Sequence, residues 1–162
     1  MDTIPDWTAI GDSANYWFGN FISAGRGDLN NDGYSDFIIC GSKSVNPDAG
    51  NYINLYLGGE SIDTIPHLVI KARNNRDLHP WAWIIKDING DGYDEFITSA
   101  YSDSSFLVYF GKDTISLIPD VRLKGTGWEM PAVDYFVASL GDINDDGYND
   151  ISIGVPSAWG SL

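Results

Sequence analysis

Asp28-Leu29-Asn30-Asn31-Asp32-Gly33-Tyr34-Ser35-Asp36 puts oxygen-bearing side chains at positions one, three, five and nine, and a glycine at position six. The pattern returns as Asp87-Ile88-Asn89-Gly90-Asp91-Gly92-Tyr93-Asp94-Glu95 and as Asp142-Ile143-Asn144-Asp145-Asp146-Gly147-Tyr148-Asn149-Asp150. The starts at 28, 87 and 142 lie 59 and 55 residues apart. Self-similarity at such a period is the mark of a repeat architecture.

The flanks repeat with the loops. Phe21-Ile22-Ser23-Ala24, Trp83-Ile84-Ile85 and Phe136-Val137-Ala138-Ser139-Leu140 precede them; Phe37-Ile38-Ile39-Cys40, Phe96-Ile97-Thr98 and Ile151-Ser152-Ile153-Gly154 follow. Short β-branched and aromatic runs bounded by Gly and Asp read as strands. Each loop therefore joins two strands of a hairpin. A third strand is expected at Tyr52–Gly58 and Phe106–Gly111. A fourth segment opens on Asp-Thr-Ile at Asp63 and at Asp113, running on to Ile70 and to Val121–Leu123, and the chain itself begins with the same element at Asp2. No helical period competes. Four short strands in about 55–60 residues make one blade of a β-propeller. The expected fold is all-β: a partial β-propeller of just under three four-stranded antiparallel blades, each with one hairpin loop of this kind. The chain reads as one domain over 1–162, with repeats at about 2–61, 62–112 and 113–162. The third repeat reaches Gly160-Ser161-Leu162 where the third strand of its blade would begin. A segment of a longer propeller, or a piece that must assemble, is the expectation, since propellers close with about four to eight blades.

The net charge is −14, and eleven of the 23 acidic residues fall inside the three loops. Carboxylates packed that closely repel one another unless a cation neutralises them. Calcium takes roughly six to eight oxygen ligands in flexible geometry. In the first loop Asp28, Asn30 and Asp32 supply side-chain oxygens, Gly33 permits the bend, Tyr34 offers its carbonyl and Asp36 closes the shell. The corresponding sets are Asp87, Asn89, Asp91, Tyr93, Glu95 and Asp142, Asn144, Asp146, Tyr148, Asp150. Hard oxygens without Cys or His disfavour zinc and copper. Magnesium fits less well because it demands stricter octahedral geometry. About three calcium sites are expected. An EF-hand needs a Glu at position twelve, where this chain has Ile39, Thr98 and Ile153, followed by strand-forming residues.

The loops and their flanks resemble the FG-GAP repeats of the integrin alpha-subunit β-propeller and of bacterial integrin-like proteins. Phe18-Gly19 matches the opening of that motif, Gly27–Asp36 and Gly141–Asp150 its metal loop, and Gly154-Val155-Pro156 approximates its Gly-Ala-Pro close. Gly41-Ser42 and Ser99-Ala100 stand where the other copies would close, and the second loop is preceded by Lys86 and ends in Glu95. These departures point to a distant, microbial relative. The resemblance implies an extracellular, non-enzymatic recognition module of a secreted or cell-surface protein. Structural calcium would sit on the propeller's underside, and a protein or glycan ligand, or the remaining blades, would be its partner. Extracellular calcium modules bind at roughly 10⁻⁴–10⁻³ M, which suits that location. An accessory propeller of a secreted hydrolase and a purely structural repeat are the alternatives.

Other classes find little support. No basic stripe exists to meet phosphates, which argues against nucleic acid, and no apolar stretch is long enough for membrane insertion. No signal peptide follows Met1. Cys40, the single cysteine, lies in an apolar run and reads as a buried thiol. Arg26-Gly27-Asp28 spells an adhesive tripeptide, but Asp28 is already assigned to the metal loop. Gly11-Asp12-Ser13 has no fitting downstream partner, and His67 and His79 have none in a recognisable spacing, so catalysis is not expected. Trp17, Trp81, Trp83 and Trp128 precede or begin the first strands, where blade-to-blade packing is expected and a rim binding surface is the alternative.

Overall fold

A computed structural model describes residues 3–11, 16–42, 50–73, 77–102, 104–124 and 135–154. Asp2, Asp12, Ser13, Trp128, Val155, Pro156 and 160–162, all named above, lie outside the described residues, as does the side chain of Arg26. Ten strands and no helix are found among the described residues. They are β1 (Phe21–Gly27), β2 (Asp36–Ser42), β3 (Asn51–Tyr56), β4 (Leu68–Lys71), β5 (Ala82–Ile85), β6 (Glu95–Ala100), β7 (Ser105–Tyr109), β8 (Val121–Lys124), β9 (Phe136–Gly141) and β10 (Asp150–Gly154).

The strands form three antiparallel sheets, β1-β2-β3-β4, β5-β6-β7-β8 and β9-β10. Neighbouring strands follow one another in sequence, so every connection is a simple reversal. The hairpins β1–β2, β5–β6 and β9–β10 each enclose one acidic loop, as the repeats predict. The sheets are out of phase with the sequence repeats: the segment opening at Asp63 supplies β4, which pairs with β3 of the first sheet. Only Leu68–Lys71 of that segment is strand.

Alternation builds the cores. Ile38, Cys40, Ile53 and Leu55 of the first sheet pack with Phe96, Ala100, Leu107 and Tyr109 of the second. The intervening residues of the second sheet, Ile97, Phe106 and Val108, pack with Tyr135 and Val137 at the third. Period-two side-chain direction thus makes the second sheet the filling between two apolar layers. All of β6 and β7 is buried. Within the first layer Phe96 and Tyr109 stack at 4.6 Å between ring centroids. The expected blade-to-blade role of the tryptophans holds for two of them: Trp81 and Trp83 pack on Phe21 of the first sheet and on Tyr135. Trp17 is exposed, and Trp7 closes edge-on over Phe37 and Tyr56 on the outer face of the first sheet.

The first strands of the sheets lie side by side, β1 against β5 and β5 against β9. This order, with sheets stacked face to face, is consistent with consecutive blades of a partial propeller. β5 has a free inner edge, and its amides need partners. Ser23 Oγ accepts from Ile84 N–H at 3.0 Å and Ser139 Oγ from Lys86 N–H at 2.9 Å, one from each neighbouring sheet. The outer edges, β4 and β8, are four residues long and end in Lys71 and Lys124, a composition that discourages strand addition.

Gly111 shows how tightly the second sheet sits beneath its loop. A Cβ there would lie 2.1 Å from the carbonyl oxygen of Asp94 and 2.6 Å from that of Leu29. Both are backbone atoms, so neither can rotate away. Gly111→Ala is expected to destabilise the chain by about 1–3 kcal/mol, read as a lower denaturant midpoint. An unchanged midpoint would mean the two loops can part without cost.

Candidate metal centre

Each loop is wired first by its own backbone. Position one caps the turn: Asp28 accepts from Asp32 and Gly33 N–H at 3.0 and 2.8 Å, and Asp142 from Asp146 and Gly147 N–H at 3.2 and 2.9 Å. Asp87 accepts from Asn89, Gly90 and Gly92 N–H. Position five accepts from the tyrosine amide two residues on, at 2.9 Å for Asp32, 3.0 Å for Asp91 and 3.0 Å for Asp146. These are Asx-type turns, and they gather the oxygens of positions one, three and five on one side. Amides converging on Asp142, that of Gly147 foremost, hold its carboxyl below the usual range. The glycine at position six has φ of +89°, +92° and +92° in the three loops, a region other residues rarely adopt.

Position nine sits where strand begins. Its carboxylate accepts from the amide of position two in every loop: Asp36 from Leu29 at 2.6 Å, Glu95 from Ile88 at 2.7 Å, Asp150 from Ile143 at 3.0 Å. The second oxygen differs. Asp36 Oδ1 also accepts from Gly58 N–H at 2.8 Å, so its carboxylate is satisfied by two amides. Glu95 is fully buried, and its Oε1 has no hydrogen-bond partner. Burial, together with Asp87, Asp91 and Asp94, pushes the Glu95 carboxyl up to about 8, against the pull of the Ile88 amide.

Asp87, Asp91 and Glu95 have carboxylate oxygens within 4.8 Å of one another, the one such acidic trio among the described residues. The homologous trios of the first and third loops are not drawn that close. A second orphan lies in the first loop, where the Asn30 Oδ1 atom is buried without a partner, whereas Asn89 and Asn144 accept from Asp91 and Asp146 N–H at 2.9 Å each. Buried oxygens without donors are costly. Oxygen-only ligands with spare lone pairs fit a hard divalent cation. If one bound, the position-one, -three, -five and -nine side chains and the carbonyl of Tyr34, Tyr93 or Tyr148 would hold it.

The loops also hold each other, which no spacing in the sequence revealed. Asp94, at position eight of the second loop, donates its N–H to the Asp28 carbonyl at 3.0 Å. Its Oδ2 accepts from Asp28 N–H at 2.8 Å and from Lys86 Nζ at 2.7 Å, and its Oδ1 from Asp87 N–H at 3.0 Å. Asn149, at position eight of the third loop, donates to the Asp87 carbonyl from its N–H at 3.3 Å and its Nδ2 at 2.7 Å. The Tyr148 ring lies over Gly90, where a Cβ would meet Cε1 at 2.9 Å.

Of the remaining candidates, His79 is buried among Trp81, Tyr101 and Tyr135, and His67 is exposed. Cys40 is fully buried, and burial pushes its thiol up. Among the described residues no helix is long and apolar enough to cross a membrane.

The chain is similar to two integrin alpha subunits. It is 24% identical to integrin alpha-PS3 of Drosophila melanogaster over 163 residues, 96% of this chain and 14% of that protein. It is 35% identical to integrin alpha-8 of Mus musculus over 86 residues, 46% of this chain and 8% of that protein. The chain thus spans less than a sixth of the length of either relative. No family model matches. Both relatives are integrin alpha subunits, the family whose repeats the loops resemble.

Glu95 makes the metal-free chain sensitive to pH. Its carboxyl titrates near 4.5 when unfolded and near 8 when folded, so the folded state binds the proton more tightly. That contribution to stability is fully present below about pH 4.5 and lost as pH rises through about 8. In chelator, the thermal midpoint should fall between pH 5 and 8.5, and Glu95→Gln should flatten the fall. A wild-type midpoint that rises across this window would show that Glu95 is ionised and paired.

Proposed function

We propose that this integrin alpha-like chain is a calcium-binding segment of an FG-GAP-type β-propeller, part of a non-catalytic recognition module of a secreted or cell-surface protein. One observation carries the calcium reading: the buried, unpartnered oxygen of Glu95 beside Asp87 and Asp91. A cation there would replace the missing donor, relieve the repulsion among three carboxylates and pin the β5–β6 hairpin. By sequence and by turn geometry the first and third loops would hold two more ions, with modest closure of their side chains. Calcium in this reading is structural.

Two features favour recognition within a larger assembly. The third sheet leaves Phe136 and Leu140 exposed on the face away from the second sheet, a surface on which a further blade would pack. The aromatic rings around Trp81 lie at the end of β5 opposite its metal loop, where connecting loops would meet a protein or glycan ligand. Adhesion or ligand recognition is the role these features support.

Thermal unfolding in excess chelator, then in calcium, then in magnesium, tests the reading. At a calcium concentration about a hundred times Kd, each site would add about 2.7 kcal/mol. For a chain of this size that is roughly 5–10 °C per site. Asp91→Ala should remove the increment of the second loop, and Asp32→Ala and Asp146→Ala those of the others, while magnesium should give far less. No shift with calcium would reduce the loops to hydrogen-bonded turns.

A further inference from the structure

We propose that Asp94 is a positioning residue that couples the cation affinity of the first loop to occupation of the second. The inference rests on the calcium reading above and deepens it. Asp94 coordinates nothing in that reading: its carboxylate, nine-tenths buried, is taken up by Asp28 N–H, Asp87 N–H and Lys86 Nζ. The two amides belong to the first ligand of the first loop and the first ligand of the second. The Asp28 peptide is gripped on both sides, because its carbonyl also accepts from Asp94 N–H.

Asp94 stands between Tyr93, whose carbonyl is a ligand position, and Glu95, whose carboxylate is another. A cation in the second loop fixes 93 and 95, and therefore fixes the backbone and side chain of 94. That restrains the Asp28 peptide before the first loop binds anything. Ordering already supplied by one ligand need not be supplied again by the next, which is positive coupling. Asn149 grips only the Asp87 carbonyl, with a neutral side chain, so the third loop holds the second less firmly. Charge-assisted bonds to a carboxylate are the stronger kind.

The amide signals of Gly33, Gly92 and Gly147, the position-six glycines, report each loop separately in a calcium titration followed by nuclear magnetic resonance. Asp94→Asn, nearly isosteric, keeps the packing but cannot serve three donors. It should raise the Kd read at Gly33 about tenfold, the loss of one charge-assisted hydrogen bond, and leave Gly147 unchanged. Asp91→Ala, which disables the second loop, should also weaken binding at Gly33, and should have no further effect there once Asp94 is Asn. Lys86→Met, which removes the ammonium facing Asp94 but leaves both amide bonds to that carboxylate, should leave Gly33 unaltered. Calcium binding at Gly33 that is indifferent to Asp94→Asn, or equal weakening at Gly33 and Gly147, overturns the coupling and leaves the calcium reading standing. If Asp94→Asn does not fold, Asp91→Ala alone decides, since an unchanged Kd at Gly33 is incompatible with coupling. No calcium response at any glycine sinks the calcium reading and this inference together.

Discussion

A carboxylate stands at the root of each hairpin and must find donors, most of all in the first two where it is buried, and the geometry of the repeats follows from where it finds them. Asp36 and Glu95 have almost no exposed surface, and burying an ionised group unaided is prohibitive. Asp36 meets the need with the amides of Leu29 and Gly58. One side chain thereby ties the start of β2 to the loop before it and to the chain leaving β3. Glu95 is one methylene longer and secures only the Ile88 amide. The oxygen left over is the difference between the two loops on which the proposed cation site rests.

The same constraint explains departures that look like decay in the sequence. The residue before each loop is Gly27, Lys86 or Gly141, and each has its own reason. A Cβ at Gly27 would strike Ile84 Cγ2 at 2.1 Å, so the inner strand of the second sheet excludes a side chain there. Gly141 has φ of +74° with open space around it, so its demand is conformational. Lys86 meets neither obstacle, and its ammonium reaches Asp94. Part of the negative charge of the second loop is offset by a residue just outside it.

Much of the architecture was legible in the sequence because two periods are written there: the 55–59-residue repeat and the alternation within each apolar run. They yield the hairpins around the loops, the third strands, the buried Cys40 and the packing of Trp81 and Trp83. Hydrogen bonds between repeats were not legible. Nothing in the spacing says that Asp94 reaches Asp28 across 66 residues, or that Ser23 and Ser139 accept from the amides of Ile84 and Lys86, in β5 and just after it. Position eight varies as Ser35, Asp94 and Asn149, so it reads as filler. The role of position nine was also half hidden: an acid at that place looks like a ligand, and its bond to the position-two amide appears only once the turn is closed. The fourth segments, found by a shared Asp-Thr-Ile, supply β4 and β8, each paired with the third strand that precedes it.

The two middle strands of the second sheet, β6 and β7, have no solvent face, and this gives the chain an energetic interior that its linear order does not suggest. Fluctuations that peel β4 from one flank, or separate β9 and β10 at the other, expose one apolar layer and leave the rest intact. Opening β6 or β7 requires both layers to part at once, which is indistinguishable from losing the whole fold. The chain therefore has a gradation of local stability running outward from its middle in both directions, and the loop whose buried carboxyl lacks a second donor lies at the centre of that gradient.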